Sequence, residues 1–271
     1  SLTNLTTGDR NTAVGGRSME AATTGSYNTA IGQTAGVGIT TGSSNVAVGY
    51  GCMSKWYGGT TGSHNVGVGN DCFDELTSGN NNIAVGYHSL KVLTTASNNV
   101  AIGYEALVAA TTSTEHIAIG YRAGYSKTTG DRLLAIGHQA GYSVTTGHEN
   151  LFIGDSSGGD ITTGTGNCFV GRRTGGSSRS SSGYNTIIGQ EAAAQGSGII
   201  SNNVAVGYYA LKEIDTGGDN TAIGTQAGNN LTTGANNIVI GKEAQASSAT
   251  VSNEITLGNS SISALRCQVT S

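Results

Sequence analysis

Apolar and polar positions alternate in short bursts along the whole chain, and each burst ends at a glycine. The burst consists of Asn, an aliphatic residue or Thr, a small residue that is mostly Ala, then Val or Ile, and finally Gly. An alternation with a period of two residues predicts a β-strand. The glycines that end the bursts are Gly15, Gly32, Gly49, Gly69, Gly86, Gly103, Gly120, Gly137, Gly154, Gly171, Gly189, Gly207, Gly224, Gly241 and Gly258.

These glycines are 17 residues apart, except for one interval of 20 and two of 18. A regular period of this kind indicates a repeat architecture, and 17 residues are too few for a helical repeat module. Tracts of Thr-Thr-Gly between the bursts, for example at 23–25, are typical of return turns. The sequence therefore predicts an all-β fold: a parallel β-roll, or β-solenoid, of about fifteen 17-residue coils.

The repeat also predicts the domain organisation. The array covers residues 1–258, and 259–271 form a C-terminal tail. Leu-Thr-Thr-Gly at 5–8 matches the end of a preceding repeat, so we expect the array to continue upstream of Ser1.

Asn stands four residues before the glycine in twelve of the fifteen copies. Stacked coils bring equivalent residues to about 4.8 Å from each other, and stacked amides can hydrogen-bond along the stack. We therefore predict a structural Asn ladder formed by Asn11, Asn28, Asn45, Asn65, Asn82, Asn99, Asn150, Asn167, Asn185, Asn203, Asn220 and Asn237.

The two faces of each strand are both apolar. We expect the Val and Ile side chains to fill the coil, and the residue between them to face outward. An outward apolar stripe would exceed what a monomer leaves exposed, so it predicts a homo-oligomer with this stripe at its axis. The predicted axis residues are Ala13, Ala30, Ala47, Ala84, Ala101, Ala118, Ala135, Ala205 and Ala222, with Phe152, Phe169, Ile187 and Val239 in four other copies.

Composition and charge argue against several classes of protein. The chain has 13 basic and 17 acidic residues, a net charge of −4, which disfavours nucleic-acid binding. No run of 18 apolar residues is present, so we predict no membrane insertion.

Motifs for catalysis are weak, and we predict no enzyme activity, no cofactor and no metal site. Gly-Asp-Ser-Ser-Gly at 154–158 matches the nucleophile elbow of hydrolases, but it occupies the same position in its repeat as 120–124 and 137–141 do in theirs. The five histidines fall at five different phases, so stacking does not bring them together. Cys52 and Cys72 share one phase in adjacent coils, and both small-residue packing and a disulfide remain open.

Departures from the period predict contact surfaces, because insertions in repeat proteins form surface loops. The 20-residue interval contains Lys55, Trp56 and Tyr57, and the first 18-residue interval contains Arg172, Arg173 and Arg179. These six residues are candidate receptor contacts. The alternatives are that Trp56 plugs the coil and that the arginines are merely solvated.

Several copies carry a family resemblance. Asn-Val-Ala-Val-Gly at 45–49, Asn-Val-Ala-Ile-Gly at 99–103 and Asn-Thr-Ala-Ile-Gly at 220–224 resemble the head repeats of YadA-like trimeric autotransporter adhesins. The longer repeat, with Tyr after the motif and Thr-Thr-Gly before the next, is similar to repeats of bacteriophage tail-fibre proteins. This resemblance implies an intertwined homotrimer of left-handed parallel β-rolls with an adhesive role.

The C-terminal segment carries a second resemblance. Residues 253–259 and 265–271 resemble the junction before endosialidase-type intramolecular chaperone domains, which direct trimerisation and then cleave themselves off. The resemblance implies that Ser271 lies at or near a processed C-terminus.

We therefore expect an extracellular, trimeric fibre segment of a bacteriophage tail fibre that spaces or presents host-attachment surfaces. Its partners would be two identical chains and a host glycan or protein receptor. The alternatives are the head of a bacterial adhesin and, through the threonine columns, an ice-binding solenoid.

Overall fold

The computed structural model describes residues 2–55, 58–176 and 180–266. The chain winds into a parallel β-solenoid, and each coil contributes one strand to a single 15-stranded sheet in which the strands lie in chain order. The strands are β1 (Thr12–Val14), β2 (Thr29–Ile31), β3 (Val46–Val48), β4 (Val66–Val68), β5 (Ile83–Val85), β6 (Val100–Ile102), β7 (Ile117–Ile119), β8 (Leu133–Ile136), β9 (Asn150–Ile153), β10 (Cys168–Val170), β11 (Thr186–Ile188), β12 (Val204–Val206), β13 (Thr221–Ile223), β14 (Ile238–Ile240) and β15 (Ile255–Leu257).

Neighbouring strands pair in register, so that each repeat position forms a column along the sheet. Ala101 of β6 lies opposite Ala118 of β7, and Ile102 lies opposite Ile119. At a strand spacing of about 4.8 Å, fifteen strands extend over about 70 Å. The predicted all-β solenoid of 17-residue coils is confirmed.

The strand faces are the reverse of those predicted. The alanines at the centres of the strands, from Ala30 to Ala222, are fully buried inside the coil, and only Ala13 in β1 is partly accessible. Phe152, Phe169, Ile187 and Val239 occupy the same buried column. The coil is narrow, so its interior accepts the small central side chain, and the flanking Val and Ile face outward. These alanines therefore cannot form an intermolecular axis: Ala13, Ala30, Ala47, Ala84, Ala101, Ala118, Ala135, Ala205 and Ala222.

Glycine makes room for the two large side chains of the central column. Where Phe152 replaces Ala in the strand, Gly158 stands on the opposite wall, and a Cβ there would overlap the Phe152 ring. Gly175 makes room for Phe169 in the same way, as close packing requires. Glycine also stands at this position opposite Ala30 and Ala222.

The glycine that ends each motif is required by the backbone. Gly103, for example, has a φ of 137°, and an added Cβ would overlap the carbonyl oxygen of Gly120 in the next coil. Only glycine combines this φ with such a close approach of two backbones.

The predicted Asn ladder is present in the structure. Asn82 Nδ2 donates to Asn65 Oδ1 at 3.0 Å and to the Ala96 carbonyl at 2.9 Å, and Asn82 Oδ1 accepts from the Asn99 backbone N–H at 3.0 Å. From Asn28 onward the ladder residues are buried. Each amide therefore satisfies buried backbone groups in its own turn and in the next coil.

Candidate functional site

The largest unusual surface is the outer face of the sheet. The first and third residues of the three-residue strands, and the second and fourth residues of β8 and β9, point outward there, and we call the aliphatic side chains among them the outer aliphatic stripe. Its exposed members range from Ile102, with 37% exposure, to Ile255, with 67%. They are Val14, Ile31, Val68, Ile83, Ile102, Ile117, Ile188, Ile223, Ile238, Ile240, Ile255 and Leu257.

The predicted contact residues of the 20-residue interval are only partly described. Lys55 is half-buried, and its Nζ lies 2.7 Å from Glu75 Oε2 in an adjacent coil. Trp56 and Tyr57 lie outside the described residues. Lys55 therefore has an ion-pair partner within its own chain.

The two described arginines of the 18-residue interval differ in their partners. The guanidinium of Arg172 lies 3.8 Å from Asp155 and 3.6 Å from Glu191. Arg173 is exposed, and within the described part of the chain its guanidinium makes no ion pair. Arg179 lies outside the described residues, as do Cys267 and Ser271. Arg173 is the described candidate whose charge remains available.

An aromatic column runs along one edge of the coils, formed by Tyr87, Tyr104, Tyr121 and His138. Their ring centroids are 5.2 to 5.3 Å apart, and the rings are nearly parallel. Each inner ring is covered on both faces, so these inner faces are not available to a ligand.

A shorter aromatic stack lies beside this column. The ring centroids of Tyr125 and Tyr142 are 5.0 Å apart, with an angle of 8° between the planes. The Arg122 guanidinium lies 5.2 Å from the centroid of Tyr125 and bonds to Glu105 at 2.7 Å. The stack stops at Tyr142, because the next two coils have Gly159 and Gly176 at this position.

A cleft of about 260 Å³ begins where this stack stops. Gln139, Ser156 and Arg173 come from three successive coils and form one wall, and Tyr142 closes one end. Asp160, Gly159, Gly176 and Ala194 complete the lining. The cleft combines one aromatic ring with several polar groups, so it is more polar than most sites for small ligands, which are lined mainly by apolar side chains.

The Asn ladder is interrupted at two coils, where His116 and Leu133 replace Asn. His116 Nδ1 accepts the backbone N–H of Leu133 at 3.1 Å, as an Asn Oδ1 does elsewhere. The fully buried Lys127 donates from Nζ to the carbonyl of Gly147, which is the bond that an Asn at position 133 would make. β8 and β9 are each four residues long, and their first residues, Leu133 and Asn150, pair with each other. This additional backbone pairing takes the place of the remaining ladder hydrogen bonds.

Burial lowers the pKa values of Lys127 and His116, the two side chains that replace amides of the ladder. Desolvation lowers the pKa of Lys127 to about 8, and a nearby Asp131 carboxylate partly opposes this shift. Desolvation lowers the pKa of His116 to about 4, with a further contribution from the charge of Lys127. His116 Nε2 is buried and has no hydrogen-bond partner among the described residues.

The other candidate chemistry is structural. Cys52 and Cys72 are free and buried above Gly67, which replaces the strand alanine there and leaves room for the sulfur atoms. Ser156 of the elbow-like motif lies in the cleft wall. In the described part of the chain no hydrogen bond joins its hydroxyl to a histidine, and no group of three or more potential metal ligands occurs.

Sequence reasoning missed the cleft and the role of Lys127. The cleft could have been found by aligning the fifth residue after each motif glycine, which changes from Tyr125 and Tyr142 to two glycines. Lys127 could have been found in the same way, since it interrupts a column that holds Leu93 before it and Val144 after it.

The fold and these surfaces define a parallel β-solenoid with an uncovered apolar face. Comparison with family models, with curated proteins and with solved structures gives no match. Among the described residues, no helix is long and apolar enough to cross a membrane.

Proposed function

We propose that the protein is a non-enzymatic, homotrimeric fibre segment of a bacteriophage tail fibre, on the virion surface, that spaces or presents host-attachment surfaces. The observation that carries this proposal is the outer aliphatic stripe. The reversal of the strand faces moves the proposed trimer axis from the alanines to the Val and Ile side chains on either side of them.

An apolar surface as large as the outer aliphatic stripe requires burial against another chain. It runs over all fifteen strands and about 70 Å, and monomers rarely leave contiguous apolar patches larger than a few hundred Å². The column next to the motif glycine is aliphatic in every strand, and the other outward column is aliphatic except for Thr in four strands and Cys in one. A second copy of the same chain therefore offers a matching face over the whole distance. The number of three chains rests on the resemblance to trimeric head repeats, in which three flat faces close around one axis.

The interior supports a mechanical role. Each coil is tied to the next by backbone pairing and by in-register core columns, and most coils are also tied by the Asn ladder. A rod built in this way distributes stress over many equivalent bonds, as a spacer requires.

The threonine columns support a structural use over ice binding. Thr94 Oγ1 donates to the Thr111 carbonyl at 3.1 Å, and Thr111 repeats this bond to Thr128 at 3.4 Å. The first Thr of each tract is thus engaged between coils, and the second Thr, such as Thr112, forms a single exposed column.

Sedimentation equilibrium of the purified chain tests the assembly. We expect a mass of three times 27.2 kDa, about 82 kDa. Ile102→Lys combined with Ile117→Lys should give monomers, because it places charges in the sealed face. Thr112→Lys, on the exposed threonine column, is the matched control and should leave the mass unchanged. A wild-type mass of one chain would contradict the proposal.

Immunogold electron microscopy tests the setting. Labelling along tail fibres of virions supports the proposal, whereas labelling of a bacterial surface favours the adhesin head.

A further inference from the structure

The cleft beside Tyr142 has the features of a built ligand site. Tyr125 covers one face of the Tyr142 ring, and the opposite face points along the rod axis toward the coil of Gly159. That coil and the next have no side chain at this position, and no second aromatic ring of the described residues stacks on Tyr142, so we call this the free face of the ring. The inner rings of the longer aromatic column have no such face.

The backbone conformation does not require glycine at Gly159 or Gly176. Neither Gly159 nor Gly176 has a positive φ, and an added Cβ would meet its nearest atoms at 3.4 Å and 3.5 Å, ordinary contact distances. Other glycines of the chain, such as Gly103, are required by a positive φ and a close backbone approach. What Gly159 and Gly176 provide is therefore open space beside the free ring face.

Two side chains in the walls of this space carry neutral hydrogen-bonding groups: Gln139 offers an amide and Ser156 offers a hydroxyl. Arg173 adds a guanidinium that makes no ion pair within the described part of the chain, whereas Arg172 is held by two carboxylates. An unpaired guanidinium at a cleft favours an anionic ligand, and its planar fork fits a carboxylate in particular.

We propose that this cleft binds a pyranose sugar that carries a carboxylate, such as a uronic or sialic acid residue of a surface glycan. The flat C–H face of the sugar stacks on the free face of Tyr142, its carboxylate pairs with Arg173, and its hydroxyls bond to Gln139 and Ser156. The volume of about 260 Å³ lies below that of typical drug-sized sites, which suits one sugar ring. This inference names the ligand class of the proposed attachment function and rests on it.

The cleft does not use the outer aliphatic stripe. It is formed by turn residues that follow the motif glycine, whereas the stripe lies on the strands before it. Ligand binding and assembly can therefore be tested separately, and the same site on each chain of a trimer would give multivalent binding to a glycan-coated surface.

Saturation-transfer NMR on the full chain tests the proposal, with the methyl glycosides of glucuronic acid and N-acetylneuraminic acid as acidic probes and methyl glucoside as the neutral control. We expect transfer from the protein to at least one acidic sugar, strongest at ring C–H protons, and at least about tenfold weaker affinity for the glucoside.

Three variants localise the binding. Arg173→Gln should lower the affinity for the acidic sugar to that for methyl glucoside. Gly159→Phe fills the cleft and should abolish binding. Gly16→Phe is the matched control, because Gly16 is another glycine without positive φ whose Cβ would have open space around it. It should bind like the wild type.

The proposal is overturned if neither acidic sugar receives saturation, or if Arg173→Gln and Gly159→Phe bind as the wild type does. Sedimentation of the same samples separates this result from the proposed function. A trimer without sugar binding defeats only the site, whereas a monomer that binds the acidic sugar defeats only the assembly.

Discussion

Two stretches of the Asn column meet the same hydrogen-bonding demand with different chemistry. Over residues 28–99, five side-chain amides bond to backbone groups and, from Asn45 onward, also to one another, and none of them titrates. At the next two coils, His116 replaces one amide, and Lys127 makes the bond that would belong to the amide missing at Leu133. The comparison shows that the buried carbonyls and N–H groups dictate a donor and an acceptor per coil, but not which side chain supplies them.

The two solutions differ in their response to pH. An amide is neutral at every pH, whereas a buried ammonium and a buried imidazole exchange protons with solvent when the chain unfolds. The interrupted stretch of the ladder should therefore make the rod sensitive to pH in two separate ranges, whereas the amides of the regular stretch contribute no pH dependence.

The largest expected effect comes from breaking the regular ladder. Asn82→Leu removes four side-chain hydrogen bonds and leaves the Ala96 carbonyl and the Asn99 N–H buried without their partners. At 1–3 kcal/mol for each unsatisfied group, we expect a loss of about 4 kcal/mol. Hydrogen exchange of peptides from these coils measures it, with the exposed Thr95→Leu as control. Equal protection in both variants would contradict a stabilising ladder.

The alkaline range tests Lys127. Its pKa is about 8 in the folded chain against an ordinary value of 10.5, so the unfolded chain holds more protons between these values. Lys127 should therefore contribute a rise in folding stability of up to about 3 kcal/mol as the pH increases from 8 to 10.5. The buried Cys52 thiol, whose pKa is raised by desolvation, acts in the opposite direction in both wild type and variant. The rise is therefore measured as the difference in urea midpoint between the wild type and Lys127→Met across this range. A rise of the same size in that variant would exclude Lys127 as its source.

The acidic range tests His116. Its pKa is about 4 in the folded chain against an ordinary value of 6.5, so protonation favours the unfolded chain below pH 6.5. Stability should fall as the pH drops from 6.5 to 4, by up to about 3 kcal/mol. His116→Asn, which restores the regular ladder, should remove this dependence while leaving the alkaline range intact. Thermal unfolding followed by circular dichroism at several pH values distinguishes the two.

A double-mutant cycle gives the smallest and most specific effect. Lys127→Leu alone leaves the Gly147 carbonyl without its donor, and Leu133→Asn alone adds an amide to a site that is already served. Together they recreate the regular pattern, so we expect the pair to be about 1–2 kcal/mol more stable than the sum of the single changes predicts. Additive effects would show that Lys127 does not stand in for the missing amide.

The sequence was sufficient for the period, the strands and the Asn ladder, because each depends on positions that recur in every coil. It was insufficient for the strand faces, because both faces are apolar and alternation alone does not say which is inside. Gly158 and Gly175, which make room for Phe152 and Phe169, did not reveal the inner face, because glycine also stands at this position in the coils of Ala30 and Ala222.

The candidate site could not be found from the positions that recur in every coil. Insertions drew attention to Lys55 and the arginines, but the cleft beside Tyr142 arises from an absence of side chains in two otherwise regular coils. A missing side chain carries no chemical signature in a motif search. It becomes visible only when the residues are arranged by coil, as the columns of the structure arrange them.

The in-register stacking of the coils also has a kinetic consequence. Paired strands are separated by about 17 residues in a chain of 271, a relative contact order of about 0.06. That value lies at the fast end of the scale, beside small helical bundles and far below β-sandwiches. Although it consists of strands, this chain should therefore wind up rapidly, each new coil being templated by the one before it.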